Sequence, residues 1–426
     1  MADLPLLVFP TPARAKKSKR HGGPTNLAYP SHESQAARLT PQLTRLQQAL
    51  DERRLALQGN PFGIEPEQVL VLETIGTVER FLTAVRNIEG LEWLGEIEPD
   101  GVEPAHGFHD ADKPDKDLPG HIFLVMSDQR AMQELQRLFD LWKQNPKAKF
   151  PTGQTALRDA FTHLSDIRPW GAEDRIRETG LQEDWHERKT SGQSIVPFEI
   201  ELWHRDRFER RQQAEALLRQ TVEDLGGTIV QRCEINEISY HALLGTVPIT
   251  AAHDFIEKTT DRLNFGLLRC EDVMYLRPVG QCLTAPPIED EQTETPPAVA
   301  GGEPIDSQPL IALLDGLPLT GHHLLDGRIT VDDPDGWETG YQVAWRRHGT
   351  AMASLICHGD LPAGEEPLAR KVYARPILKP LASHQDREHI PDDVLPVDLV
   401  HRAVRRLFEP EGDQPPVAPT VRVINL

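Results

Sequence analysis

Apolar residues repeat at two spacings along this chain, and the changes of spacing mark out its units. From Pro41 to Leu57, the residues Leu43, Leu46, Leu50 and Leu57 recur at helical intervals and predict a helix. Gln68–Thr74 (QVLVLET) is rich in Val and Leu and predicts a strand. Gly76 punctuates it, and Thr77 is placed to cap a helix whose inward face is Val78, Phe81, Leu82, Val85 and Ile88. His121–Met126 (HIFLVM) predicts a second strand, followed by a helix capped at Ser127 that turns Met132, Leu135, Leu138 and Phe139 inward.

The pattern is clearer over residues 195–280. Pro197–Trp203 (PFEIELW) alternates as a strand does, and Phe208–Leu225 predicts a helix stopped by Gly226 and Gly227. Thr228–Val230 and Ile235–Leu244 predict strands, the second broken or bent. Thr250 is placed to cap a helix over Ala251–Asp261, and Val273–Arg277 closes the series. Strand–helix–strand–strand–helix–strand is the ferredoxin-like order. Residues 61–150 follow a related α/β grammar, which suggests a divergent tandem pair, although no repeat shows in the sequence itself.

Between Thr284 and Pro309 the periodicity stops. Pro286, Pro287, Pro296, Pro297, Pro304 and Pro309 alternate with Glu289, Asp290, Glu291, Glu294, Glu303 and Asp306, and no Lys or Arg interrupts them. Such a stretch builds no core and predicts an extended linker. The expected organisation is a basic N-terminal segment with a helix (1–60), an α/β module (61–150), a connecting segment (151–194), a ferredoxin-like module (195–280), an acidic linker (281–308) and a C-terminal unit (309–426).

Composition narrows the function classes. The chain has 426 residues, 38% hydrophobic and 26% charged, with a formal charge of −20. That balance argues against a nucleic-acid binder, which needs clustered cations. The basic run Arg14, Lys16, Lys17, Lys19, Arg20 is a local exception that reads more simply as a solvated tail. No stretch reaches the ~18 apolar residues that span a bilayer. Leu4–Phe9 is too short and too Pro-interrupted for a secretory leader. Cys233, Cys270, Cys282 and Cys357 form no CxxC pair, hence neither a disulfide framework nor a zinc site. A cytoplasmic protein without membrane or nucleic-acid partners is expected.

After the linker the grammar becomes parallel α/β. Leu310–Leu314 is wholly apolar, as expected of a strand covered on both faces, and ends in Asp315. A carboxylate there lies on the rim where α/β folds place their sites. Arg347-His348-Gly349-Thr350 then opens a small-residue helix with Met352, Leu355 and Ile356 expected inward, and Trp345, Arg346 and Arg347 belonging to the loop before the histidine. Serine is a weak nucleophile; it needs an imidazole base, which in turn needs a carboxylate to fix its tautomer. Asp315 first and His348 second is one of three known triad orders.

These residues resemble the subtilisin-like serine proteases. Ile311-Ala312-Leu313-Leu314-Asp315-Gly316 looks like that family's strand and catalytic aspartate, and Arg347-His348-Gly349-Thr350-Ala351-Met352-Ala353 like its histidine motif, usually HGTHVAG. Val372–Leu378, Val400–Phe408 and Val421–Leu426 resemble the strand, helix and strand that follow, so the likeness spans 309–426. There are departures. Gly316 and Leu317 stand where Thr or Ser and then Gly are usual, Ala351 where a second histidine is usual, and Ser354 where Gly or Ala packs.

The resemblance implies a three-layer domain around a parallel sheet and a serine endopeptidase in which Asp315 orients His348. The chain ends at Leu426, before the family's Ser-Leu-Gly segment, oxyanion asparagine and serine. Ser307 and Ser354 do not replace that serine by motif, so the chain alone is expected to be inactive, with Val421–Leu426 an exposed edge strand. A protein or peptide substrate is implied, with a regulatory partner and a propeptide-like role for 195–280 as further expectations. The alternative is a catalytically inactive scaffold or regulatory binding protein. No cofactor is expected. Asp332, Asp333 and Asp335 cluster where some family members hold calcium, and His106, His109, Asp110 and Asp112 have ligand-like spacing but read more simply as a solvated loop. His322 and His323 read as loop surface, and Cys357 as a buried helix residue.

Overall fold

The computed structural model describes residues 26–56, 66–259, 261–280, 306–359, 366–381 and 384–426. The basic run at 14–20, Cys282 and nearly all of the linker lie outside the described residues. The chain is a mixed α/β protein with several sheets, of which one is parallel. Among the described residues no helix is long and apolar enough to cross a membrane.

The N-terminal helix α1 (His32–Ala56) begins nine residues before the expected start and carries Pro41 inside it. Tertiary burial outweighs the local cost of proline here: Leu39 and Leu43 flank it, both fully buried. Gln35, one turn in, donates to the carbonyls of Phe161 and Leu164. Four strands follow: β1 (Glu67–Ile75), β2 (Leu91–Ile97), β3 (Gly120–Asp128) and β4 (Leu164–Pro169). They form an antiparallel sheet in the order β2-β3-β1-β4.

Helices α2 (Phe81–Arg86), α3 (Gln129–Gln144) and α4 (Thr155–His163) cover one face of this sheet together with α1. Three local expectations change. Helix α2 keeps only six residues and is entered through Arg80 in the left-handed region, without a side-chain cap from Thr77. Helix α3 is capped one residue later than expected, by Asp128 accepting from the Ala131 N–H at 2.8 Å. The segment read as a connector, 151–194, supplies α4 and β4, so the first sheet is closed by residues beyond 150.

The second module has β5 (Ile195–Leu202), α6 (Phe208–Asp224), β6 (Thr228–Ile235), β7 (Tyr240–Pro248) and β8 (Val273–Arg277), preceded by α5 (Leu181–Thr190). Its antiparallel order, β8-β5-β7-β6, is that of the first sheet, fourth strand to second. The expected break within 235–244 is the turn at Asn236–Ser239, and the helix expected over 251–261 shrinks to α7 (His253–Ile256). Phe255, Phe265 and Trp185 pack there edge-on and stacked, so aromatic burial rather than helix length fills the space.

The two modules lock through their strands. Arg205, after β5, donates to both Glu67 and Glu92 of the first sheet, and Trp203, Trp170 and Tyr275 pack together between the sheets.

The third unit is the parallel sheet. Strands β9 (Ile311–Asp315), β10 (Ile329–Val331), β11 (Val372–Pro376) and β14 (Val423–Asn425) lie in the order β10-β11-β9-β14. Helix α8 (Arg347–His358) covers one face and α9 (Pro396–Phe408) the other, giving three layers. Strand alternation divides the residues: Ala312, Leu314 and Tyr373 pack toward α9, and Leu313, Val372 and Ala374 toward α8. A hairpin of β12 (Lys379–Leu381) and β13 (His384–His389) projects between β11 and α9. Strand β14 pairs only with β9 among the described strands, and Val423 is 55% exposed.

The inward face of α8 is rotated from expectation. Ala353, Ser354 and Cys357 are buried, whereas Met352 and Ile356 are only partly so. Small residues let the helix approach the sheet closely, which the larger side chains at the expected positions would prevent.

Candidate active site

Asp315 ends β9, where alternation turns its side chain to the α8 side; His348 is the second residue of α8. The imidazole Nδ1 lies 2.7 Å from Asp315 Oδ1, and the Gly316 N–H donates to the same oxygen at 2.6 Å. Asp315 is 4% exposed and the His348 side chain 29%, so the carboxylate is enclosed while the ring reaches the surface. The hydrogen bond to Asp315 raises the imidazole pKa above its ordinary value, against a smaller opposing effect of burial. With Nδ1–H donating to the carboxylate, Nε2 keeps its lone pair.

The approach of β9 to α8 depends on Gly349. A Cβ there would fall 2.2 Å from the Gly316 carbonyl oxygen, inside any allowed contact. Thr350 ties the turn by accepting from the Leu319 N–H at 2.9 Å. The residues joined by the site are therefore distant in sequence but fixed by backbone packing on both sides.

A third ionisable group, which sequence reasoning missed, sits beside the pair. Glu388 of β13 is 2% exposed, and a Cβ at position 316 would fall 2.0 Å from its Oε1. A side chain after Asp315 would push that carboxyl out of its present position. Tyr341 Oη lies 2.7 Å from Glu388 Oε1 and 2.7 Å from the Leu378 carbonyl oxygen. Burial, reinforced by the nearby Asp315, pushes the Glu388 pKa up to about 7. The only signal in the sequence was indirect: Gly316 in place of a side chain.

The other candidates are placed as follows. Asp332 accepts two hydrogen bonds from Arg406 and one from Tyr373, and Asp335 pairs with Arg375 and Arg402. Asp333 accepts from the N–H groups of Trp337 and Glu338. These carboxylates tie α9 and the loop at 333–338 to the sheet. Asp110 closes a turn by accepting from the Asp112 and Lys113 N–H groups and pairs with Lys116. Among the described residues, ligand atoms converge instead at Glu96, Glu98 and His121, on the surface of the first module. His322 and His323 lie ring against ring, tilted by 38°, in a loop where His322 is half-buried and His323 exposed. Cys357 is 1% exposed, and burial pushes its thiol up to about 11, which makes it a core residue.

The structure thus defines a mixed α/β protein with a carboxylate–imidazole pair on the carboxyl rim of a parallel sheet. No protein-family model and no curated protein matches the chain. Among solved structures it is similar to a crystal structure of an unknown protein from Galdieria sulphuraria, at 12% identity, over 46% of this chain and 92% of that one, with a TM-score of 0.14. At that TM-score the likeness carries no weight for fold or function.

Proposed function

We propose that residues 309–426 are the acid-and-base half of a subtilisin-like serine endopeptidase. The observation that carries this reading is the 2.7 Å bond from His348 Nδ1 to Asp315, made between the end of a parallel strand and the start of the following helix. Supporting it, all five segments of the sequence resemblance fall in one three-layer unit around one parallel sheet. The Gly316 departure from the family pattern leaves the space that the Glu388 carboxyl occupies.

In the reaction, His348 Nε2 takes the proton of a serine hydroxyl as the oxygen bonds to the scissile carbonyl carbon. It returns that proton to the leaving amine as the C–N bond breaks, and Asp315 stabilises the imidazolium in between. The serine and the oxyanion donors are those the family carries later in sequence. A peptide would lie extended along the rim, by strand addition. The setting proposed is cytoplasmic.

The ferredoxin-like module at 195–280 is read as a propeptide-like cover. Its free sheet face, Cys233, Ile235, Tyr240, Ala242 and Leu244 with Val279, packs on Leu395 and Val397 at the start of α9. Arg188 donates to both oxygens of Asp392, and Gln231 bonds the Leu395 N–H and Asp398 across the same contact.

The test is to express the reading frame continued past Leu426 and treat it with a fluorophosphonate serine probe. Labelling lost in His348→Ala supports the triad. A folded protein that stays unlabelled, or a frame without the serine motif, favours the inactive scaffold.

A further inference from the structure

The Asp315–His348 pair has a buried neighbour whose proton content the hydrogen-bond geometry restricts. Tyr341 Oη stands 2.7 Å from two oxygens, Glu388 Oε1 and the Leu378 carbonyl, and carries one proton. A backbone carbonyl only accepts, and an ionised carboxylate only accepts. With Glu388 ionised, one of the two contacts would bring lone pairs together at hydrogen-bond distance. With Glu388 protonated, the chain closes: Glu388 donates to Tyr341, and Tyr341 donates to Leu378.

The carboxyl is also placed to act on the base. It fills the space beside Gly316, the residue whose N–H binds Asp315 Oδ1, and its negative charge favours the protonated form of His348. Arg346 reaches Glu338 and the Tyr341 carbonyl, Lys379 lies over the Trp337 ring, and Asp392 below β13 is held by Arg188. His389, the next residue of β13, is drawn by Asp392 rather than by Asp315.

We propose that Glu388 is a positioning residue for the base, a second buried carboxyl that holds a proton while the imidazole is neutral and favours its protonated form once ionised. This rests on the reading of His348 as the general base. It predicts that His348 and Glu388 titrate as a coupled pair: proton loss from either strengthens the other's hold on its own proton, and neither follows a simple one-site curve. The imidazole of the native protein should therefore keep its proton to higher pH than Asp315 alone would arrange. Burial, with Asp315 close by, is consistent with this, since both resist a second negative charge.

The test is an NMR titration of this chain, which needs no serine and no peptidase activity. The His348 Cε1–H signal, assigned by its loss in His348→Ala, should titrate broadly in the native chain. In Glu388→Gln, which keeps the shape and hydrogen-bonding capacity of the neutral acid, it should become a one-site curve with a midpoint lower by about one pH unit. Superimposable His348 curves would overturn the proposal. The Cδ carbon of Glu388 in the unsubstituted chain provides a reading independent of any variant's folding. Titration of that carbon near pH 4–5, as for an ordinary glutamate, would overturn it as well. Coupled titration in a continued protein that takes no serine probe would leave this proposal standing and defeat the peptidase reading. The converse pair of results would do the opposite.

Discussion

Replacing Glu388 with glutamine should change how stability depends on pH, and the size of the effect follows from the site. In the unfolded chain the carboxyl titrates at its ordinary 4.5, whereas in the fold burial moves it to about 7. Between those values the unfolded state has released its proton and the folded state still holds it. The unfolded state then binds fewer protons, so stability falls as pH rises through this window and levels off above it. Each tenfold change in proton affinity is worth about 1.4 kcal/mol, so the full loss approaches about 3 kcal/mol, an upper value because the site can relax when charged. Glu388→Gln carries no such proton and should be flat in this respect. Urea melts of the native chain and the variant, taken every half unit from pH 4 to 8.5, give the difference directly, which includes the change in the contribution of His348 that the NMR titration of both proteins measures. That contribution has the same sign: with its pKa raised in the fold, it stabilises fully below about 6.5 and is lost as pH rises through the folded value. Curves for the two proteins that stay parallel across the window would refute the reasoning, because the carboxyl would then be ionised at no cost.

Two further outcomes test the packing around the site. Gly349→Ala should separate α8 from the Gly316 turn, because the contact is backbone and cannot swing away; a loss of about 1–3 kcal/mol and a lower His348 pKa are expected, read by melts and by the same NMR titration. Leu395→Ala should loosen the second module from α9, since Leu395 is fully buried in that contact, at about 2–5 kcal/mol. Hydrogen exchange of the β6 and β7 amides should then rise relative to those of β9 and β11, and unchanged exchange would show that the contact contributes little.

Much of the site was legible in the sequence because it depends on local signals. Leu310–Leu314 is short and wholly apolar, as a strand covered on both faces is, and its parity as a strand commits Asp315 to one side. The residues Arg347–Ala353 predict a close-packed helix start wherever they fold. The order of strands and helices over 195–280 follows from the same short-range periodicities. Where those periodicities failed, a distant contact had decided the matter. Pro41 sits inside α1 because the leucines around it are buried against the first sheet, and the helix after Thr250 shortens because three aromatic rings claim its space. Leu164–Pro169 is too polar to stand out as a strand, and only pairing with β1 makes it one. Glu388 is the plainest case. Its neighbours in sequence, in a polar hairpin, predict a solvated glutamate. It is the folding of that hairpin against Gly316 and Tyr341, residues 72 and 47 positions away, that removes its water and sets its carboxyl beside the turn after Asp315. Sequence pattern determines which faces are buried, because burial is paid locally by side-chain type. Proton affinity is a property of the surroundings, and those only the tertiary structure assembles.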